Sequence, residues 1–193
     1  MTDKRVEIDD TEVVFDDFFK IDKTTLRFER FDGSMSNTVK RLCFVRGDSV
    51  AALIFNRDTA KILLTNQFRA PTYRNGDGWI TEVLAGSVEK GEPFEEALRR
   101  EILEEVGYRV GDLTHIYTFY VSPGGTSERI ALYYAEVGDG DKIAPGGGAA
   151  AEDEDIEILQ YTLPEAWQLL DSGQINDAKT LIALMWLRSR KEH

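Results

Sequence analysis

The segment PFEEALRREILEEVGY, residues 93–108, carries carboxylates one helical turn apart. Its ends suit a helix over Pro93–Val106, with Pro93 in the first turn and Gly107 just past the last. On that helix Phe94, Ala97, Leu98 and Ile102 form one apolar stripe. Glu101 and Glu105 fall in the middle of the stripe and Glu104 at its edge, while Glu95, Glu96 and Arg99 point away. A charge run is ordinarily a solvated face, but that reading does not suit a pair on the buried side. Like charges at i,i+4 cost about 0.2–0.5 kcal/mol even in water, and desolvation adds several kcal/mol more. A divalent cation would supply the missing charge. Hard carboxylate oxygens select Mg²⁺, with Mn²⁺ as a substitute.

The surrounding elements must position this helix. Residues 11–46 mix β-branched and aromatic residues with charges and read as strands broken by the turn FDGS. SVAALIF (49–55) and KILLTNQFR (61–69) flank NRDTA and suggest a hairpin, and WITEVLAG (79–86) reads as one further strand. Strands are expected at 113–121, 128–137 and 156–161, and helices near 163–172 and 178–190. In the last of these Leu181, Leu184 and Met185 are expected in the core. The whole predicts an α+β or mixed α/β/α fold.

The composition restricts the partners. The 193-residue chain has a formal net charge of −12, which argues against nonspecific binding to nucleic acid or an anionic membrane. No apolar run approaches the ~20 residues of a membrane span. MTDKRVEIDD lacks an apolar signal core, so export is not expected. The single cysteine, Cys43, suits a reducing cytoplasm. Two histidines are too few and too separated for a zinc site, and EF-hand spacing is absent. A phosphate-bearing substrate would need local cations, from metal or a few placed arginines, to reverse the field.

Gly86, Glu92, Arg100, Glu101, Ile102, Glu104, Glu105, Gly107 and Tyr108 fall in the order G-x5-E-x7-R-E-U-x-E-E-x-G-U. This resembles the box of the Nudix hydrolases, departing only at Tyr108, a packing position where the pattern has an aliphatic residue. The resemblance implies a Nudix α/β/α sandwich over residues 46–193, with a strand-rich N-terminal extension, residues 1–45. It also implies Mg²⁺-assisted cleavage of a nucleoside diphosphate linked to another group. Glu101 and Glu105 then resemble the central metal ligands, with Ala85 giving a backbone carbonyl. Glu104 resembles a supporting ligand or base, Arg100 an orienting partner, and Glu92 a tie to the helix start. Gly86 would permit a tight turn after the strand.

NQFRAPTYRNGDGWITEVLAG, SPGGTSER and EDEDIEI are similar to the branch that cuts ADP-ribose and nucleotide sugars. On that resemblance Arg69 contacts the diphosphate, though one arginine at a strand end is as readily a surface ion pair. Glu82, Gly86, Ser122 and Gly124 belong with the substrate, and Glu128 with the metal or the terminal sugar unless it is a solvated strand residue. Glu152 would be the general base and Glu154 a further metal ligand, on a loop whose glycines let it move. By composition alone that loop is simply acidic and disordered. SPGGTSER and FDGSMSNTVKR are most similar to ADP-ribose pyrophosphatases, so the expected substrate is ADP-ribose, cut to AMP and ribose 5-phosphate, with GDP-mannose the alternative. GQINDAKTLIAL is at least as similar to GDP-mannose pyrophosphatases, where a lysine at the position of Lys179 contacts substrate. Otherwise Lys179 is a surface residue at a helix start. The branch further implies a homodimer formed through residues 1–45. A non-hydrolytic nucleotide-sugar-binding regulator is the remaining alternative, and the intact glutamates of the box argue against it.

Overall fold

The computed structural model describes residues 3–148 and 154–191. The chain divides into two compact units. One runs to Asp48 and includes Tyr120–Arg129. The other holds Ser49–Phe119 and the chain from Ile130 onward.

The first unit is a three-stranded antiparallel sheet, β1 (Val6–Asp16), β2 (Lys20–Phe28) and β3 (Val39–Val45), in that order. It begins before the expected residue 11, and 29–38 is a loop closed by one isolated bridge between Glu29 and Met35. All of β1 is exposed, including Val6, Ile8, Val13, Val14 and Phe15. The 120–129 segment joins this unit through backbone: Gly125 accepts the Phe44 N–H at 2.8 Å, and Thr126 Oγ1 donates to the Phe44 carbonyl at 2.9 Å. Arg129 closes on Asp48 with bonds of 2.9 and 2.6 Å.

The second unit is a seven-stranded mixed sheet. Its path runs β10 (Glu157–Thr162), β5 (Lys61–Phe68), β4 (Ser49–Asn56), β9 (Arg129–Val137), β8 (Leu113–Tyr120). β4 and β9 are parallel, which buries both faces. The apolar run of β4 serves both layers. Val50, Ala52 and Ile54 pack towards α1 (Phe94–Val106); Ala51, Leu53 and Phe55 pack towards α2 (Leu163–Asp171) and α3 (Ala178–Lys191). The result is the expected α/β/α sandwich. Among the described residues no helix is long and apolar enough to cross a membrane.

Two expectations change in detail. The strand predicted over 79–86 is two strands, β6 (Trp79–Glu82) on β5 and β7 (Leu84–Ser87) on β4. They break at Val83, whose N–H turns to the Thr180 hydroxyl of α3 at 2.8 Å. On α3, Leu184 is fully buried as expected, but Met185 is 58% exposed. One residue along a helix is about 100° around it, and the core stripe does not extend that far.

Gly107 stops α1 in the left-handed conformation, φ 76°, its N–H reaching the Ile102 and Leu103 carbonyls. A Cβ there would also overlap the Ala144 carbonyl oxygen. Gly107→Ala is therefore expected to cost about 2 kcal/mol or more, lowering Tm by roughly 4 °C or more. Gly140→Ala, with nothing within 4 Å and φ outside the left-handed region, is the matched control and should shift Tm by far less. Thermal unfolding of the two variants side by side checks this.

Candidate active site

The helix α1 presents its acidic residues as its periodicity requires. Glu105 is 4% exposed and Glu101 half-buried. Burial pushes the Glu105 carboxyl up to about 8, reinforced by repulsion from Glu101, Glu154 and Glu82 and opposed by Arg69. Burial also raises Glu101, against the pull of Arg100. Oxygen donors of this kind, short of positive charge, fit a hard divalent cation. Among the described residues no three Asp, Glu, His or Cys side chains converge on one point by themselves. Like charges separate, and Glu101 turns to Arg100 instead.

Arg100 holds this edge of the helix. Nη1 donates to Glu101 at 2.8 Å and to Glu104 at 3.4 Å. Nε and Nη2 meet the two oxygens of Glu92 at 3.3 Å each, and Nη2 also reaches the Ser87 carbonyl at 3.2 Å. Glu92 in turn accepts the Glu89 N–H at 3.0 Å, so the loop before the helix is tied to the helix itself. Glu104 remains largely exposed.

Gly86 is not at a turn. It lies inside β7 opposite Val50, with φ outside the left-handed region. Its requirement is steric: a Cβ would overlap the Glu101 carboxyl group. Ala85 precedes it in β7, opposite Ala51.

The glycine loop is anchored at its root. Gly147 and Gly148 donate to the Glu105 and Glu104 carbonyls at 2.8 and 3.3 Å. Gly146, Gly147 and Gly148 all have positive φ. A Cβ on Gly146 would sit 2.7 Å from the Glu105 carbonyl, and one on Gly148 2.8 Å from Glu154 Cβ. These glycines therefore serve close approach to the helix end, where free carbonyls need partners. Glu154 follows this root and lies near enough to Glu101 and Glu105 to raise both. Glu152, expected as base, lies outside the described residues, as does Asp153.

Arg69, Glu82 and Lys179 form a second group. Arg69 Nε donates to Glu82 at 2.8 Å, and the Lys179 ammonium bonds Glu82 and, at 3.0 Å, Asp177. Lys179 is 8% exposed and Glu82 3%, so Lys179 is not a surface residue. Arg69 and Glu82 open on a cleft of about 450 Å³ that Trp79, Asp77, Asn176 and Asp177 also line. Asp177 signals this arrangement in the sequence only as a helix cap before Thr180.

Ser122, Gly124 and Glu128 belong to the N-terminal unit. Ser122 accepts the Gly125 and Thr126 N–H groups at 3.0 Å, shaping a turn through Gly124. Glu128 is 8% exposed and 3.9 Å from Arg46.

Comparison with known proteins adds three findings. The family described as NUDIX domain matches residues 45–184. A GDP-mannose pyrophosphatase of Cronobacter sakazakii is 37% identical over 96% of both chains, and one of Citrobacter koseri is 36% identical over 92% of both. A crystal structure of an ADP compounds hydrolase superposes with a TM-score of 0.72 at 21% identity, covering 97% of this chain and 95% of its own. That neighbour supports the fold.

Gly86→Ala should push Glu101 off the helix face it shares with Glu105. Mn²⁺ affinity, read by titration calorimetry, is expected to fall about 10- to 100-fold, with circular dichroism unchanged.

Proposed function

Because the chain belongs to the Nudix family, we propose that it hydrolyses the diphosphate bond of a nucleoside diphosphate sugar with Mg²⁺, GDP-mannose first, giving GMP and mannose 1-phosphate. One observation carries the reaction: Glu101 and Glu105 share the core-facing side of α1, and while Arg100 bonds Glu101, the buried Glu105 makes no ion pair among the described residues. Glu101, Glu105, Glu154 and the Ala85 carbonyl would hold the ion. When bound, it would neutralise the diphosphate and polarise the attacking water.

The chain's own residues divide the remaining work. Arg100 keeps Glu101 and Glu104 oriented. Arg69 supplies positive charge for the diphosphate, with Lys179 behind it, and Ser122, Gly124 and Glu128 are proposed for the substrate. Carboxylates engaged with metal have their basicity reduced, so Glu152 is the proposed acceptor of the water's proton, with Glu104 the alternative.

The relatives named above favour GDP-mannose, since they match nearly the whole chain. ADP-ribose, giving AMP and ribose 5-phosphate, is the second reading and rests on SPGGTSER. Kinetics with GDP-mannose, ADP-ribose, UDP-glucose and nucleoside triphosphates decide it. Preference for a triphosphate would overturn both. Glu105→Gln or a chelator should lower kcat by about a hundredfold or more, and full activity in either case would remove the metal from the mechanism.

We further propose a homodimer formed through the N-terminal sheet, on which Val6, Ile8, Phe15 and Leu42 are exposed. Light scattering should then give about twice the 21.8 kDa chain mass. A strictly monomeric, fully active protein would exclude it.

A further inference from the structure

Glu82 ends β6, and both of its oxygens are engaged. Oε1 accepts from Arg69 Nε at 2.8 Å, and Oε2 accepts from the Lys179 ammonium. The same ammonium reaches Asp177 Oδ1 at 3.0 Å, while Asp177 Oδ2 accepts the Thr180 N–H at 3.0 Å. Thr180 Oγ1 accepts the N–H of Val83, the residue between β6 and β7. The first turn of α3 is thus tied to the strand break, and one carboxylate lies between two cations.

The four charged groups cancel, two against two. They do not depend on one another equally. Lys179 keeps Asp177 if Glu82 is removed, whereas the Arg69 guanidinium has Glu82 as its only hydrogen-bond partner among the described residues. Arg69 is also the more exposed of the two cations, 37% against 9% by side chain. Deprived of Glu82, it would be repelled by Lys179 and drawn to water. Its terminal nitrogens make no hydrogen bond among the described residues, and Arg69 lines the cleft beside Trp79 and Asp77. A guanidinium fixed at Nε with both terminal nitrogens available can take an anion's oxygens in pairs. Glu82 itself is a poor ligand for an anionic diphosphate, being negative and buried, with both oxygens already bonded to cations.

We infer that Glu82 is a positioning residue that touches no substrate and determines anion affinity by fixing Arg69. This rests on the proposed hydrolysis of a nucleoside diphosphate sugar. It differs from the placing of Glu82 among the substrate ligands that the sequence resemblance implies.

The test is a kinetic cycle on the full chain, with whichever of GDP-mannose and ADP-ribose the wild type hydrolyses. A wild type that hydrolyses neither defeats the proposed function before any variant is made. Glu82→Gln should raise KM about tenfold or more and leave kcat within about threefold. Arg69→Ala should do the same. Glu82→Gln added to Arg69→Ala should then raise KM less than about twofold further, because the residue it positions is gone. An unchanged KM in Glu82→Gln, or an equal KM penalty in both backgrounds, overturns the inference. Should Glu82→Gln not fold alone, Glu82→Gln with Lys179→Met removes one charge of each sign. Its KM should exceed that of Lys179→Met about tenfold, and equal values would overturn the inference.

Discussion

Two carboxylates on the core-facing side of one helix are the constraint from which the rest of the site follows. Glu105 is desolvated by the same packing that buries Ala97, Leu98 and Ile102. Its neighbours Glu101, Glu154 and Glu82 make its charge costlier still. A fold meant only to be stable would place apolar residues there. Here the neighbourhood is built to tolerate the cost: a glycine leaves room for Glu101, and an arginine draws it to one side.

The sheet makes such a site possible because it needs nothing from these residues. β4 is apolar on both faces, and the two helical layers bury it completely. The stability of the second unit can therefore reside in that strand and its neighbours. The break between β6 and β7 diverts one sheet hydrogen bond to α3 and brings Glu82, Arg69 and Lys179 together. Departure from regular pairing and concentration of charge thus coincide at one place.

Much of this was legible in the sequence. The 3.6-residue period placed Glu101 and Glu105 on the apolar side, and the apolar runs located β4 and β5 closely. Other features depend on contacts distant in the chain. Lys179 is buried because its partner Glu82 lies 97 residues away, and no local pattern records that. The role of Gly86 is hidden in the same way, since the atom it makes room for is on α1. The break at Val83 reflects which strand each half pairs with, and WITEVLAG reads as continuous without that knowledge. The attachment of 120–129 to β3 follows from backbone hydrogen bonds, to which side-chain patterning is blind.

Apolar packing is non-directional, and a greasy stripe alone tolerates a helix that rolls or slips along its bed. On α1 such a roll would matter, since adjacent positions differ by about 100° and would exchange a ligand for a core residue. The polar ties at the two ends remove that freedom. Arg100 fastens the first half to Glu92 and the Ser87 carbonyl, and Gly147 and Gly148 fasten the last turn through the Glu105 and Glu104 carbonyls. Together they fix the helix's azimuth, so the angular placement of the carboxylates is set by the backbone on either side rather than by the core beneath.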